Sequence, residues 1–326
     1  MKKNTVLVTG AAGFIGSFLC ESLIDKNYYV IGVDNFFRGK RNNLSRIIKN
    51  KNFKLIKCDL TKTIEIKELL KKIKKNNINY IYHYGAINGT EHFYDKSFLT
   101  FNNNIKMTEN LFKYIVKKNI KSLKKIAFAS SSEIYGSSPK VFPTNENCDY
   151  SIILNSNRDS YASSKVFGEF YIKLFCEKFK IPYLIFRIFN TYGPRMVDTK
   201  YGQVIPEFIK KCKSDKLFTI IGKGDQTRSF CYIDDHVRLA NKLVLNNKIK
   251  NNIVNLGNEE EITILYLAKL IHKISNKKFV FKNLKSRIDD PVKRCPDITF
   301  LKKLTNDKPF ISIKEGLKKL IENEKY

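Results

Sequence analysis

The chain has 326 residues, 43% of them hydrophobic, and a formal net charge of +29. Its apolar content is that of a folded protein too large for one ordinary core, yet no apolar run approaches the roughly 20 residues that span a bilayer, so no membrane anchor is expected and the location is read as cytoplasmic. Lysine is spread through segments such as 71–77 and 117–125 without arginine–aromatic interleaving, and the seven cysteines lie far apart, so neither nucleic-acid recognition, a disulfide framework nor a metal site is expected.

The first predicted element is a β-branched, apolar strand from Thr5 to Thr9. Gly10, Gly13 and Gly16, spaced G-x-x-G-x-x-G around Phe14 and Ile15, then turn the chain into a helix running to Asp25. Gly10 permits the tight turn, Gly13 keeps side-chain bulk away from a diphosphate at the helix N-terminus, and Gly16 lets helix and strand pack closely. A second strand, Tyr29 to Val33, ends in Asp34, at the distance suited to the adenosine ribose hydroxyls. Its charge repels a 2′-phosphate, so the expected cofactor is NAD and not NADP.

Asn35 opens a basic loop through Arg38, near where the adenosine would lie. A third strand, Phe53 to Lys57, delivers Cys58, Asp59 and Leu60 to the carboxyl edge, with Asp59 a candidate for the adenine amino group. After a helix through Leu69 and Ile73, a fourth strand, Tyr80 to Tyr82, leads to His83, which reads as a packed histidine. Gly85 and Ala86 follow, small enough for the cofactor to approach the backbone. Helical spacing covers Phe98 to Lys118, and a fifth strand, Lys125 to Ser130, brings Ser131, Ser132 and Glu133 to the same edge. A helix from Ser160 to Phe179 and a sixth strand, Tyr183 to Phe189, complete the pattern.

The fold class is therefore α/β, a Rossmann-type doubly wound parallel sheet with a smaller, mostly C-terminal α/β substrate domain. Residues 1–189 form the expected NAD-binding domain, to which 233–256 return, while 190–232 and 257–326 form the substrate domain. Its last helix opens with the capping box Ser312-x-x-Glu315.

Tyr161 and Lys165 lie four apart on one helix face. An ammonium beside a phenol favours the phenolate, lowering a pKa that starts near about 10, so Tyr161 can take an alcohol proton as hydride leaves to NAD. Lys165 is also a candidate holder of the nicotinamide ribose.

These pieces resemble the extended short-chain dehydrogenase/reductase family of NAD-dependent nucleotide-sugar epimerases and dehydratases. The matching stretches are Thr9 to Gly16, Asp34, Ser130-Ser-Ser-Glu-Ile-Tyr-Gly136, Tyr161-x-x-x-Lys165, Asn190-Thr-Tyr-Gly-Pro-Arg195 and Gly222 to Tyr232. The resemblance implies that Ser131 hydrogen-bonds the sugar 4-hydroxyl and that Asn190, Arg195, Arg228 and Arg294 hold the nucleotide-diphosphate sugar. A buried arginine needs an anion, and for these the partner is either that diphosphate or a carboxylate of the chain itself.

Glu133 separates activities within the family. Where 4-epimerases carry a small residue, dehydratases and decarboxylases carry a glutamate; in a dehydratase it takes the C5 proton once C4 is a ketone, and Glu133 is also a candidate acid for the leaving hydroxyl. The preferred expectation is a nucleotide-sugar 4,6-dehydratase, most similar to the GDP-N-acetylglucosamine enzyme of legionaminic acid pathways. The alternatives are a UDP-glucuronate decarboxylase, whose C-terminal motifs the chain resembles, and a 4-epimerase. The segment Gly85 to Tyr94 replaces the proline-containing stretch of the decarboxylases, and no arginine dedicated to a sugar carboxylate stands out. The resemblance also implies a homodimer formed through a four-helix bundle by the helices 98–118 and 161–179.

Overall fold

The computed structural model describes residues 3–73, 77–196, 203–214, 217–285, 292–307 and 310–322. Lys74 to Asn76 of the lysine-rich surface and Asp289 to Pro291, shortly before Arg294, lie outside them. Strands β1 (Thr5–Thr9), β2 (Tyr29–Asp34), β3 (Phe53–Lys57), β4 (Ile78–His83), β5 (Lys125–Ser131) and β6 (Tyr183–Ile188) join Asn252–Leu256 in a seven-stranded parallel sheet. Its order is Asn252–Leu256, β6, β5, β4, β1, β2, β3. Strand order reverses between β1 and β4, and the carboxyl ends of those two strands open the crevice where such sheets bind ligands.

Helices cover both faces, which is why β1 is buried at all five positions. Val6 and Val8 join the core beneath α1 (Phe14–Asp25) and the helix Ile233–Leu245, while Leu7 joins the opposite core with Ile115 and Ile172. On that second face lie α2 (Thr63–Lys72), α4 (Ser97–Asn110) and the helix Asp159–Lys178.

The helix expected over Phe98 to Lys118 is more broken than its spacing suggests. A short α3 (Thr90–Asp95) precedes α4, and α4 passes into a π-helical turn, Leu111–Val116. Leu111, Phe112, Ile115 and Val116 of this turn are all buried against the sheet.

Beyond β6, Thr227–Ser229 pairs antiparallel with Glu261–Thr263 and parallel with Lys293–Arg294, which sets Arg228 beside Arg294. At the start of the helix Ile313–Glu322 the Glu315 amide donates to Ser312 Oγ at 3.3 Å, one half of the expected capping box, while the Glu315 carboxylate pairs with Lys319 at 3.0 Å. Among the described residues no helix is long and apolar enough to cross a membrane.

Candidate active site

At the end of β1, Gly10 adopts φ +71° against the backbone of Gly85, where an added Cβ would lie 2.9 Å from the Gly85 Cα. A Cβ on Gly16 would sit 2.0 Å from the Gly10 carbonyl oxygen, so the close packing of helix on turn needs glycine there. The α1 N-terminus has neither a side-chain cap nor an acidic residue in its first turn, which leaves its amides for an anion.

The cleft above this turn has a volume of about 690 Å³ and takes in Gly13, Phe14, Ile15, Asp34, Asn35, Leu60, Gly85 and Ala86 at one end and Ser131, Tyr161 and Arg228 at the other. That volume lies in the range of ligand-binding clefts. Asp34 is buried, and its carboxylate accepts from the Ala12 and Phe36 amides at 2.9 and 2.7 Å. Burial pushes its pKa up, and the two amides oppose that shift. Asp59 Oδ1 accepts from the amide and hydroxyl of Thr61, closing the turn before α2, and Cys58 and Leu60 on either side line the cleft. His83 is packed between the Thr9 and Thr108 hydroxyls, and burial lowers its pKa to about 3.

At the reacting end, the helix Asp159–Lys178 presents Tyr161 toward Ser131, whose hydroxyl hydrogen-bonds the phenol. Phe93 stacks on the Tyr161 ring with centroids 4.6 Å apart. Lys165 departs from the expected geometry. Its Nζ donates to the Ala129 carbonyl at 2.7 Å and lies 5.5 Å from the Tyr161 ring centre, so it faces the ring while its hydrogen bond goes to backbone. Burial and then the Glu133 charge hold the phenol well above its ordinary pKa. Burial also draws the Lys165 ammonium down to about 7, against the pull of Glu169. The lowering of Tyr161 by Lys165 expected from their spacing is thus not what this arrangement gives.

Ser131 Oγ also accepts from the Glu133 amide at 3.2 Å, capping a short 3-10 turn that aims Glu133 into the cleft. There its carboxylate meets two guanidinium groups. Arg158 donates through Nε and Nη2 at 3.2 and 3.3 Å, and Arg294 through Nη1 and, at 3.1 Å, Nη2. Burial alone would raise the Glu133 pKa, but Arg294 and Arg158 together hold it far below the carboxylate range. Arg294 therefore has a carboxylate of the chain as its anion. Arg158 was not singled out from the sequence, although it precedes Tyr161 by three residues and so shares its helix face.

The remaining expected ligand-holding residues divide. Arg228 lines the cleft and donates to its neighbour's carbonyl, Thr227 O, at 2.8 Å. Asn190 lines it as well, with Nδ2 donating to the Ser229 carbonyl at 3.0 Å. Arg195 reaches the cleft wall, but its guanidinium is paired with Glu21 at 2.7 Å and lies 4.2 Å over the Phe18 ring, so it also ties this loop to α1.

Residues 6–257 match the model of the NAD dependent epimerase/dehydratase family. The chain is 32% identical over 329 residues to the UDP-N-acetyl-alpha-D-glucosaminuronate decarboxylase of Bacillus cytotoxicus, covering 98% of this chain and 97% of that one. It is 33% identical over 323 residues to UDP-glucuronic acid decarboxylase 1 of Danio rerio, covering 98% and 72%. Among solved structures, the UDP-glucuronic acid 4-epimerase of Bacillus cereus, in complex with UDP-glucuronic acid and NAD, superposes with a TM-score of 0.84 at 31% identity, over 98% of each chain. These relatives handle UDP-sugars, whereas the likeness drawn from the sequence was to a GDP-sugar dehydratase. With the family model matching most of its length and relatives aligned almost end to end, the chain belongs to the NAD-dependent epimerase/dehydratase family of nucleotide-sugar enzymes, and its cofactor is NAD.

Proposed function

We propose that the protein is an NAD-dependent decarboxylase of a UDP-linked uronic acid, of the UDP-glucuronate or UDP-N-acetylglucosaminuronate class. The observation that carries this reading is the convergence of Arg158 and Arg294 on one carboxylate beside Ser131 and Tyr161. Two guanidinium groups against the single charge of Glu133 leave one net positive charge at the reacting end, which suits a second carboxylate beside the clamp, and a uronic acid brings one to C5, next to the carbon being oxidised. The chain's end-to-end likeness to decarboxylases of two such sugars supports the same substrate class.

When bound, NAD supplies hydride acceptance and return at C4. In its phenolate form Tyr161, hydrogen-bonded to Ser131, takes the proton from the C4 hydroxyl, a form that the positive charge of bound oxidised NAD would favour against the burial and the Glu133 charge that raise the phenol's pKa, and Ser131 orients that oxygen. Once C4 is a ketone, the substrate is a β-keto acid: the C5–C6 bond breaks, carbon dioxide leaves, and the electron pair passes to the C4 oxygen, where Ser131 and Tyr161 hold the developing charge. C5 then takes up a proton from solvent water, and as hydride returns to C4 its oxygen recovers the proton held by Tyr161. Arg158 and Arg294 orient the departing carboxylate, Asn190 and Arg228 hold the sugar and diphosphate, and Lys165 anchors the nicotinamide ribose. Residues 190–232 and 257–326 serve as the nucleotide-sugar-binding part, and the protein acts as a homodimer through α4 and the helix Asp159–Lys178.

A second reading, the 4,6-dehydratase acting on GDP-N-acetylglucosamine, is favoured by the position of Glu133 next to Ser131, where a base for C5 would stand. The same glutamate argues against it, since a carboxylate held ionised by two arginines is a weak base. A 4-epimerase of a UDP-linked uronic acid, the third possibility, would bind the same carboxylate, as the Bacillus cereus relative in complex with UDP-glucuronic acid does, and differs from a decarboxylase in keeping that carboxylate in its product. The product mass decides. Incubated separately with UDP-glucuronate, UDP-N-acetylglucosaminuronate and GDP-N-acetylglucosamine, the protein is expected to release carbon dioxide from a uronate. Loss of water from the GDP-sugar, or an isomer of unchanged mass, would overturn the reading.

A further inference from the structure

We propose that the buried Glu169–Arg187 ion pair is a positioning unit that keeps the reacting groups of the cleft in register. The role rests on Ser131, Glu133, Tyr161 and Arg294 being those groups. Glu169 lies one turn beyond Lys165 on its helix, and Arg187 is the register partner of Ser130 across β6 and β5. Both side chains are at most 3% exposed.

All five N–H donors of Arg187 are used. Nε and Nη2 donate to the two Glu169 oxygens at 3.1 and 2.9 Å, Nη2 also to the Tyr150 hydroxyl at 3.2 Å, and Nη1 to the Tyr135 hydroxyl at 2.9 Å and the Glu146 carbonyl at 2.8 Å. Glu169 in turn accepts from the Ser130 and Tyr150 hydroxyls at 2.5 and 2.9 Å. A network with every donor satisfied fixes one arrangement, because any shift strands a polar group in low dielectric.

What it fixes is the set of segments that carry the site. Ser130 precedes Ser131, Tyr135 follows Glu133 by two residues, and Glu169 is four beyond Lys165. The network extends further through the Tyr135 hydroxyl to Asn255 Oδ1 at 2.8 Å, and Asn255 Nδ2 donates to the Asp297 carbonyl at 3.2 Å, three residues past Arg294. Two strand ends, a helix and the Arg294 segment thus share one anchor, and neither Glu169 nor Arg187 lines the cleft. Buried ion pairs contribute little net stability compared with well-packed apolar residues, so stability alone gives no reason for this one. Reaction rates, in contrast, respond steeply to sub-ångström placement.

The test is the double variant Glu169→Met with Arg187→Met, which strands no charge. It is expected to fold and to keep NAD affinity and KM for UDP-glucuronate within threefold, while kcat falls more than tenfold. A smaller loss of kcat, or a loss arriving as a raised KM, would overturn the proposal. Should the double variant not fold, Tyr150→Phe removes one outer member at a part-exposed position, and kcat is then expected to fall more than threefold with KM unchanged; an unaltered kcat would overturn it. Absence of any turnover of UDP-glucuronate by the unmodified protein would end the substrate reading and not this one. Hydrogen exchange of the NAD-bound double variant, or of Tyr150→Phe in its place, then decides. Amides of 130–136 and 158–165 should exchange at least tenfold faster while those of α1 keep their rates, and unchanged exchange in the first two segments would refute the positioning role.

Discussion

Glu133 and Arg294, 161 residues apart in sequence, meet in the cleft through two hydrogen bonds, one from each terminal nitrogen of the guanidinium. With Arg158 on its other side, Glu133 ties a strand end, a helix start and a late segment of the chain to one point. If these arginines receive a uronate, Arg294→Met should lower kcat/KM for it about 100-fold, the scale of losing one partner of a desolvated charge pair, with NAD affinity unchanged. Steady-state kinetics beside a cofactor titration would check this; an undiminished kcat/KM would remove Arg294 from substrate recognition.

The same clamp predicts a pH signature in stability. Glu133 is lowered in the fold from its usual 4.5, so its contribution is complete above that value and is lost as pH falls below it. Unfolding free energies from urea titrations should therefore separate the unmodified protein from Glu133→Gln by about 3 kcal/mol at pH 7 and by clearly less at pH 3.5. A gap that widened on acidification would contradict the ionised clamp.

Tyr161→Phe keeps the stacked ring against Phe93 and removes only the hydroxyl that faces Ser131. A fall of kcat of about a thousandfold is expected, with KM little changed and no reduced cofactor accumulating at 340 nm, the usual NADH absorbance band at roughly that wavelength. Substantial turnover by this variant would place the proton transfer elsewhere.

Asp34 holds the two amides that shape the loop beyond β2. Its replacement by Ala should weaken NAD binding about tenfold and bring NADP within reach of NAD, as read by fluorescence titration. Equal binding of the two cofactors by the unmodified protein would remove the role given to the carboxylate.

Phe170 and Leu174, 51% and 60% exposed, stand on the outer face of the helix Asp159–Lys178. Paired with α4 from a second copy they would be covered, so Phe170→Glu with Leu174→Glu should halve the mass seen by light scattering. An unmodified protein that is monomeric at micromolar concentration would rule out the dimer.

The nucleotide turn was legible because it is local: strand, glycines and helix follow one another within residues 5 to 25, and each glycine has a steric reason. Tyr161 and Lys165 were legible through helical spacing, but where the Lys165 ammonium points was not, because its acceptor, the Ala129 carbonyl, belongs to another element. Asp59 carries a turn that the sequence did not announce, since an acidic side chain at a strand end can serve a turn as well as a ligand. Arg158 had a signal in its three-residue offset from Tyr161, whereas nothing near it in sequence announces Arg294 as its companion. The Glu169–Arg187 network was invisible, because its members come from separate elements and acquire meaning only when those elements meet.

The sheet's edge strand, Asn252–Leu256, lies more than sixty residues after the β6 strand it covers. On the ribosome, the dinucleotide turn and β1 to β6 therefore emerge well before β6 gains its neighbour, and until then the open edge of β6 offers unpaired amides and carbonyls to another nascent chain. Arg294 emerges later still. A protein that stalls in this interval would bind nucleotide yet be inactive and prone to aggregate, so slow translation through residues 190–250 should make its yield depend on chaperones that shield strand edges.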